Sequence, residues 1–417
     1  MTAHPAVHTH HSPAAGAPID WGEARSRAYA AGRAAGSEPI ALPLALADGY
    51  SLAEPLTALT DLPAFPTSSV DGWAVRGPGP WRVIGRVLAG STPPPLTDEG
   101  TAVEIATGAM VPPGATAILR TEESTRTADG RVSGVPRPEP EWRLPGDEAH
   151  AGDVLVPAGT PVNPGVIGLA AACGYDTLRV RPLPRAGLLV FGDELLIRGR
   201  PGAGRVRDAL GPSLPAWLRR YGCRIEPSWV TSPIADTLPA HVDALRRALT
   251  EVDIVCTTGG TMRGPVDHLH PALRELGAEY VVNTVAVRPG FPMLLARVVE
   301  DTGRVRFIAG LPGNPQSAVV ALATLVAPLV AGWHGRSEPP LAEVLLGERI
   351  PGRGAYTHVA LVRVEDGLAR PLRHAGSAML RGVARADGFA VIRPGTDGVA
   401  GQRVPFLALP LLPGERP

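Results

Sequence analysis

The chain contains no lysine; all 40 of its basic residues are arginine. This excludes Schiff-base chemistry, covalently held pyridoxal phosphate and a phosphate-loop lysine. Arginine binds phosphate but stays protonated, so proton transfer falls to carboxylates, histidine or tyrosine. Net charge is missing too, because 40 acidic residues cancel the 40 arginines. No global field draws the chain to nucleic acid or an anionic membrane, and any anion site must be local. Cysteine is scarce. Cys173, Cys223 and Cys256 stand far apart and form no paired metal-ligand spacing, which suits a reduced, cytoplasmic protein. The opening MTAHPAVHTHH has no basic segment followed by an apolar one, so no secretory leader is expected. The longest apolar run, Ala318 to Trp333, is interrupted by Thr324 and Pro328 and falls short of a bilayer span, so it reads as a buried helix.

At 417 residues the chain is long enough for about two to four domains. Its 46 prolines and 49 glycines approach the composition of disordered chains, but 44% hydrophobic residues in periodic runs predict a folded, loop-rich protein. His4, His8, His10 and His11 lie in a Pro- and Ala-rich start that reads as a disordered tail or a metal-binding cluster. Asp20 is placed to cap a helix running to about Ala35, whose apolar stripe of small residues needs a larger partner. Short β-like runs, WRVIGRV (81–87) and TAILR (116–120), mark a β-rich module, and Gly165 to Gly174 reads as a second helix. From 184 to 336, strands and helices alternate: AGLLVFG, a helix through Trp217, CRIEPSWV as a strand, a helix over 237–250, DIVCTTGG, a strand near Tyr280 to Val287, RVRFIAGLPG and the apolar helix from Pro315. That alternation predicts an α/β sheet with a parallel core and ligands beyond its carboxyl ends. Short strands from about Pro339 imply a C-terminal β domain.

Chemistry-bearing residues cluster after those strands. Asp193 and Glu194 follow AGLLVFG and suit a metal or general acid/base role, or a solvated turn. Thr258-Gly259-Gly260 ends a strand with two residues that leave backbone N–H groups free for an anion, or makes a tight turn. Arg263 could pair with phosphate, and Asp267 could bind a metal or cap a helix. Leu311-Pro312-Gly313-Asn314-Pro315 opens the apolar helix, whose free N–H groups and dipole favour an anion. Upstream, Ser68-x-x-Asp71-Gly72 offers a hydroxyl and a carboxylate, or a β-turn, and Thr107-Gly108 forms a loop. Arg288-Pro289-Gly290-Phe291-Pro292 puts a cation beside a rigid turn.

In order and spacing, LPAFPTSSVDGWAV, EIATGAMVPPGATAI, GDEAHAGDVLVPAGT, FGDEL, TTGGTMRGPVD, VRPGFP, FIAGLPGNPQSA and GSAML resemble the MoeA/gephyrin E-domain family, the molybdopterin molybdenumtransferases. The resemblance runs from about residue 18 to the C-terminus. It implies a multidomain α/β plus β chain: a tail (1–17), a discontinuous helical domain (18–44 and 144–182), an inserted β domain (45–143), a MogA-like molybdopterin-binding α/β domain (183–336) and a barrel-like C-terminal β domain (337–417). It also implies a homodimer with its cleft between the α/β domain of one copy and the inserted domain of the other. The family reaction inserts molybdate into adenylylated molybdopterin and releases AMP with the help of Mg²⁺. A MogA-like adenylyltransferase and molybdoenzymes are the implied partners, with neither nucleic acid nor membrane.

By position, Asp71, Glu194, Asp208 and Asp267 take the family's catalytic places, and Asp193, Glu194 and Asp267 its metal places. Thr107, Thr258, Gly259, Gly260, Arg263, Arg288, Pro312, Gly313, Asn314, Pro315 and Ser317 match its substrate-binding places. The chain departs from the family pattern at several points. Asp208-Ala209-Leu210 replaces an Asp-Ser/Thr-Asn run, Met262 and Arg263 replace small residues, His268 replaces a tyrosine, and Phe291 replaces the second lysine of K-P-G-K-P. Losing that cation forfeits a charge-assisted contact, for which Arg263 is the expected substitute. Leu210, Met262 and Phe291 motivate the alternative of a paralogue that binds molybdopterin without turnover.

Overall fold

The computed structural model describes residues 17–261, 267–338 and 340–411. The His-rich start, Met262 and Arg263 lie outside the described residues. Two compact units share the chain: one takes in the segment up to Ile40, Gly49–Ala53 and the chain from Arg181, the other Ala41–Asp48 and Glu54–Val180.

The second unit is built on β1 (Gly72–Arg76), β2 (Arg82–Val87), β3 (Thr101–Ile105) and β4 (Ala117–Arg120), in the order β2-β3-β1-β4. Period-2 alternation sends Trp73 and Val75 to one face with Trp81 and Leu119, and Ala74 to the other with Val103, Ile105 and Ile118. Both faces are therefore covered. The helix α1 (Pro164–Ala172) belongs to the same unit and is capped by Asn163, whose side chain accepts from the Val166 N–H at 3.0 Å.

The first unit holds a six-stranded sheet. Its strands are β5 (Ala186–Phe191), β6 (Val230–Ile234), β7 (Ile254–Thr258), β8 (Glu279–Val282), β9 (Leu294–Val299) and β10 (Val305–Leu311), in the order β6-β5-β7-β10-β9-β8. Strands β6, β5, β7 and β10 are parallel. CRIEPSWV is not a strand. Arg224 makes one isolated parallel bridge, to Arg185; Pro227 then opens a 3-10 turn over Pro227–Trp229, and the continuous pairing with β5 begins at Val230. Strand β9, which the sequence reading passed over, runs antiparallel between β10 and β8.

The apolar helix Pro315–Trp333 is 94% buried over its most apolar window and includes a π-helical turn at Leu322–Val326. It is a core helix. Against it lies the N-terminal helix Trp21–Ala34, capped by Asp20, whose side chain accepts from the Gly22 N–H at 2.7 Å. Gly32 meets the Leu329 carbonyl and Gly332 meets the Tyr29 carbonyl so closely that neither position has room for a Cβ. Trp21 Nε1–H donates to Thr324 Oγ1 at 3.0 Å across the same contact. The small-residue stripe is thus a backbone-to-backbone crossing.

Beyond it, β11 (Ala342–Leu346), β12 (Thr357–Glu365), β13 (Leu368–Pro371), β14 (Gly388–Ile392) and β15 (Arg403–Ala408) close into a barrel through the β12–β14 pairing. A short strand, Val287–Arg288, adds parallel to Thr357–His358 and so sets Arg288 against the barrel.

The three cysteines are free and buried, and burial pushes the Cys256 thiol up to about 12, an unreactive state. His334 is fully buried, donating through Nε2 to the Gly222 carbonyl at 3.0 Å, and desolvation pushes its pKa down to about 4. The unfolded chain takes up this proton near pH 6.5 while the folded chain refuses it until about 4, so the associated stability is present above 6.5 and lost as pH falls. Between pH 7.5 and 5 the loss should be about 2 kcal/mol. Urea unfolding at the two pH values, with His334→Gln as reference, checks this, since the variant should lack that component.

Candidate functional site

The parallel strands end level with one another. Val190 pairs with Thr258, Thr258 with Leu311, and Phe191 with Ile234, so their following loops share one edge. Gly259 N–H donates to the Leu311 carbonyl at 3.1 Å. Gly259 (φ +86) and Gly260 (φ +65) occupy the left-handed region, where glycine alone is unstrained. A Cβ on Gly313 would lie 3.7 Å from Gly259 Cα, and one on Gly259 would lie 3.4 Å from the Phe191 carbonyl. Three of the expected loops are therefore in contact: those carrying Asp193 and Glu194, Thr258 to Gly260, and Pro312 to Asn314.

The first turn of the Pro315 helix differs from expectation. Its Gln316 and Ser317 N–H groups are not free, because the Ser377 carbonyl accepts both, at 3.0 and 3.3 Å. A loop from the barrel, far away in sequence, occupies the anion position expected there.

A carboxylate cluster sits at the same edge, and it includes a residue the sequence reading missed. Asp193 N–H donates to Asp236 Oδ2 at 3.4 Å. Burial raises the Asp236 pKa above the ordinary aspartate range; the Asp193 N–H offsets part of this, and the charges of Asp193 and Asp267 add to the rise. Asp236 follows β6, and a strand correctly placed at Val230–Ile234 would have delivered it to the edge. His241 stacks on Phe191 (ring centroids 3.6 Å apart), with Nε2 3.6 Å from Asp236 Oδ1, and burial pushes it down to about 4. The Glu194 carboxylate folds back over Gly192, where a Cβ would lie 2.8 Å from Oε2. Asp208 is engaged elsewhere: Oδ1 accepts from the Leu210 and Gly211 N–H groups at 2.9 and 2.8 Å, and Oδ2 from the Ser232 hydroxyl at 2.7 Å. It thus holds the first two N–H groups of the helix Leu210–Arg220, whose N-cap residue is Ala209. Among the described residues no three His, Cys, Asp or Glu side chains close on one metal position.

On the far side of the Gly313–Asn314 turn lies a cavity of about 640 Å³, lined among others by Arg288, Phe291, Asn314, Ser317, Arg353 and Ser377. The Arg288 guanidinium lies 4.8 Å from the Phe291 ring and 4.7 Å from the Tyr356 ring. Phe291 thus holds the remaining cation in place. The second cation is Arg353, supplied by the barrel. His358 donates through Nδ1 to the Pro351 carbonyl at 2.7 Å, and burial lowers its pKa, keeping it neutral. Among the described residues no carboxylate lines this cavity. Two guanidiniums and three hydroxyl-bearing side chains, Ser317, Tyr356 and Ser377, suit an oxyanion.

In the other unit, Asp71 and Thr107 are brought together. Asp71 Oδ1 accepts from the Thr107 N–H at 2.6 Å and the Thr107 hydroxyl at 3.0 Å. Those bonds hold the Asp71 carboxyl below the usual range, so it is an anion at neutral pH.

Glycine loops thus lie on a parallel sheet edge beside an arginine-lined cavity formed with a β-barrel, an arrangement suited to an anionic ligand. Residues 187–332 match the family pattern described as a probable molybdopterin binding domain, residues 19–174 the MoeA N-terminal region (domain I and II), and residues 343–409 the MoeA C-terminal region (domain IV). The chain is 30% identical over 369 residues to a Bacillus subtilis protein named molybdopterin molybdenumtransferase, covering 83% of this chain and 84% of that one. A Staphylococcus epidermidis protein of the same name is 29% identical over 372 residues, 84% of this chain and 86% of its own. The crystal structure of a molybdopterin biosynthesis MoeA protein from Pyrococcus horikoshii superposes with a TM-score of 0.76 at 24% identity, over 94% of this chain and 99% of that one. The chain belongs to the MoeA family.

Proposed function

We propose that the chain is a molybdopterin molybdenumtransferase that inserts molybdate into adenylylated molybdopterin and releases AMP. The observation that carries the proposal is the Gly313–Asn314 turn, which has the glycine-loop edge on one side and the Arg288–Arg353 cavity on the other. A phosphorylated pterin and a tetrahedral oxyanion can thus be held side by side, the proximity that group insertion requires. Thr258, Gly259, Gly260, Pro312, Gly313, Asn314 and Pro315 frame the pterin phosphate; Arg288 and Arg353 bind molybdate, with the Ser317 and Ser377 hydroxyls donating.

The donor set at the strand ends suits Mg²⁺, which takes hard oxygens and needs only one or two carboxylates beside water and phosphate. Asp193, Glu194 and Asp267 would hold it; burial raises the Asp236 pKa, and a cation would offset the Asp193 and Asp267 charges that add to that rise. Bound there, Mg²⁺ would neutralise the pyrophosphate. The resemblance further supports a cytoplasmic homodimer in which Asp71 and Thr107 serve from the inserted domain, and a MogA-like adenylyltransferase as supplier.

A reconstituted assay with adenylylated molybdopterin, molybdate and Mg²⁺ tests the proposal. AMP release coupled to active cofactor is expected. Tight pterin binding with no AMP release would contradict it and favour the non-catalytic carrier.

A further inference from the structure

The barrel carries a second basic concavity outside the site described above. A cavity of about 370 Å³ is walled by five arginines: Arg363 on β12, Arg370 on β13, Arg373, Arg381 and Arg385. Two are neutralised, Arg363 by Glu365 at 3.0 Å and Arg370 by Glu348 at 3.3 Å. Arg373, Arg381 and Arg385 have no ion-pair or side-chain hydrogen-bond partner among the described residues.

The backbone beneath them is fixed. Val383 and Ala386 belong to the main core with Leu361 and Phe389, Leu372 N–H donates to the Leu361 carbonyl at 3.1 Å, and Gly382 is pressed against the His374 carbonyl where no Cβ would fit. Three unpaired guanidiniums on a rigid support, in a chain of zero net charge, repel one another until an anion arrives.

The chemistry of the anion follows from the walls. Among the described residues His374 supplies the one ring on the cavity wall, with no Trp, Tyr or Phe beside it to sandwich a base, and the cations are spread over two strands, a short helix and the loops next to them instead of ringing one phosphate. Leu372 lines the cavity, and Met379 and Leu380, adjacent to Arg381 in sequence, are 47% and 36% exposed and available for apolar contact. Spaced carboxylates with intervening apolar side chains match this pattern. Position matters as well: His374 lines this cavity, and the next residues, Ala375 to Ser377, line the Arg288 cavity.

We propose that this arginine face docks a carboxylate-rich segment of a protein partner next to the oxyanion cavity. The binding is independent of the proposed reaction, so its test reads no turnover. Fluorescence anisotropy of the full chain with a labelled peptide of alternating glutamate and leucine, at low salt, should give saturable 1:1 binding. The triple variant Arg373→Glu, Arg381→Glu, Arg385→Glu should weaken it at least about tenfold, and the glutamine triple about fivefold. Should the glutamate triple fail to fold by circular dichroism, the glutamine triple decides. Arg82→Glu, Arg143→Glu, Arg219→Glu changes net charge equally elsewhere and should leave affinity within about twofold. Equal loss in both reversal variants overturns the proposal, and so does displacement by pyrophosphate at lower concentration than by unlabelled peptide, which would assign the face to a small phosphate ligand.

Discussion

Arg288→Ala is expected to weaken molybdate use about ten- to hundredfold while adenylylated-molybdopterin affinity stays within about twofold. The asymmetry follows from place. Arg288 stands over the Phe291 and Tyr356 rings in a cavity that no carboxylate lines among the described residues, whereas the glycine loops lie across the Gly313–Asn314 turn. Removing the guanidinium deletes a charge-assisted contact, typically about 1.5–3 kcal/mol, and leaves the loops intact. Arg288→Lys should recover only part of the loss, because an ammonium keeps the charge but not the planar guanidinium that contacts both rings. AMP-release kinetics at varied molybdate, beside equilibrium binding of the pterin, separates the two effects. An equal fall in both would place Arg288 on the pterin phosphate instead.

Gly332→Ala is expected to cost about 3 kcal/mol of stability, against the usual benefit of alanine in a helix. A methyl there drives into the Tyr29 carbonyl and the Arg33 amide of the facing helix, and neither backbone can yield without parting the crossing that Trp21 and Thr324 close. Gly168→Ala is the counterpart. It lies inside the helix Pro164–Ala172 with nothing within 4 Å of its absent Cβ, so alanine should stabilise by about 0.5–1 kcal/mol. Thermal or urea unfolding of both variants reads the opposite signs, and a neutral Gly332→Ala would mean the two helices are less closely packed than described.

Much of this was legible in the sequence because it depends on local chemistry. Asp20 capping, the buried Pro315–Trp333 helix and the α/β alternation follow from periodicity and end signals, and the motif order pointed to the family. What was missed depends on contacts far apart in the chain. Asp236 was overlooked because Cys223 to Val230 is rich in strand-forming residues, although Pro227 turns the chain and delays the edge strand to Val230. The Gln316 and Ser317 amides looked free because nothing local announces that Ser377 will cover them. Phe291 looked like a lost cation, yet it supports Arg288, and Arg353 restores the second charge from the barrel. Arg263, the substitute expected from sequence, lies outside the described residues. Asp208 was placed with the cleft carboxylates by its position in the motif order, and what the sequence did not show is that its carboxylate accepts from the Leu210 and Gly211 N–H groups.

The most direct measurement is anomalous diffraction at the molybdenum edge from crystals of the full chain soaked in molybdate. A peak within hydrogen-bonding reach of both Arg288 and Arg353 is the expected result. A peak at the Gly259–Gly313 edge, with none in the Arg288 cavity, would contradict the division of the site into pterin and oxyanion halves.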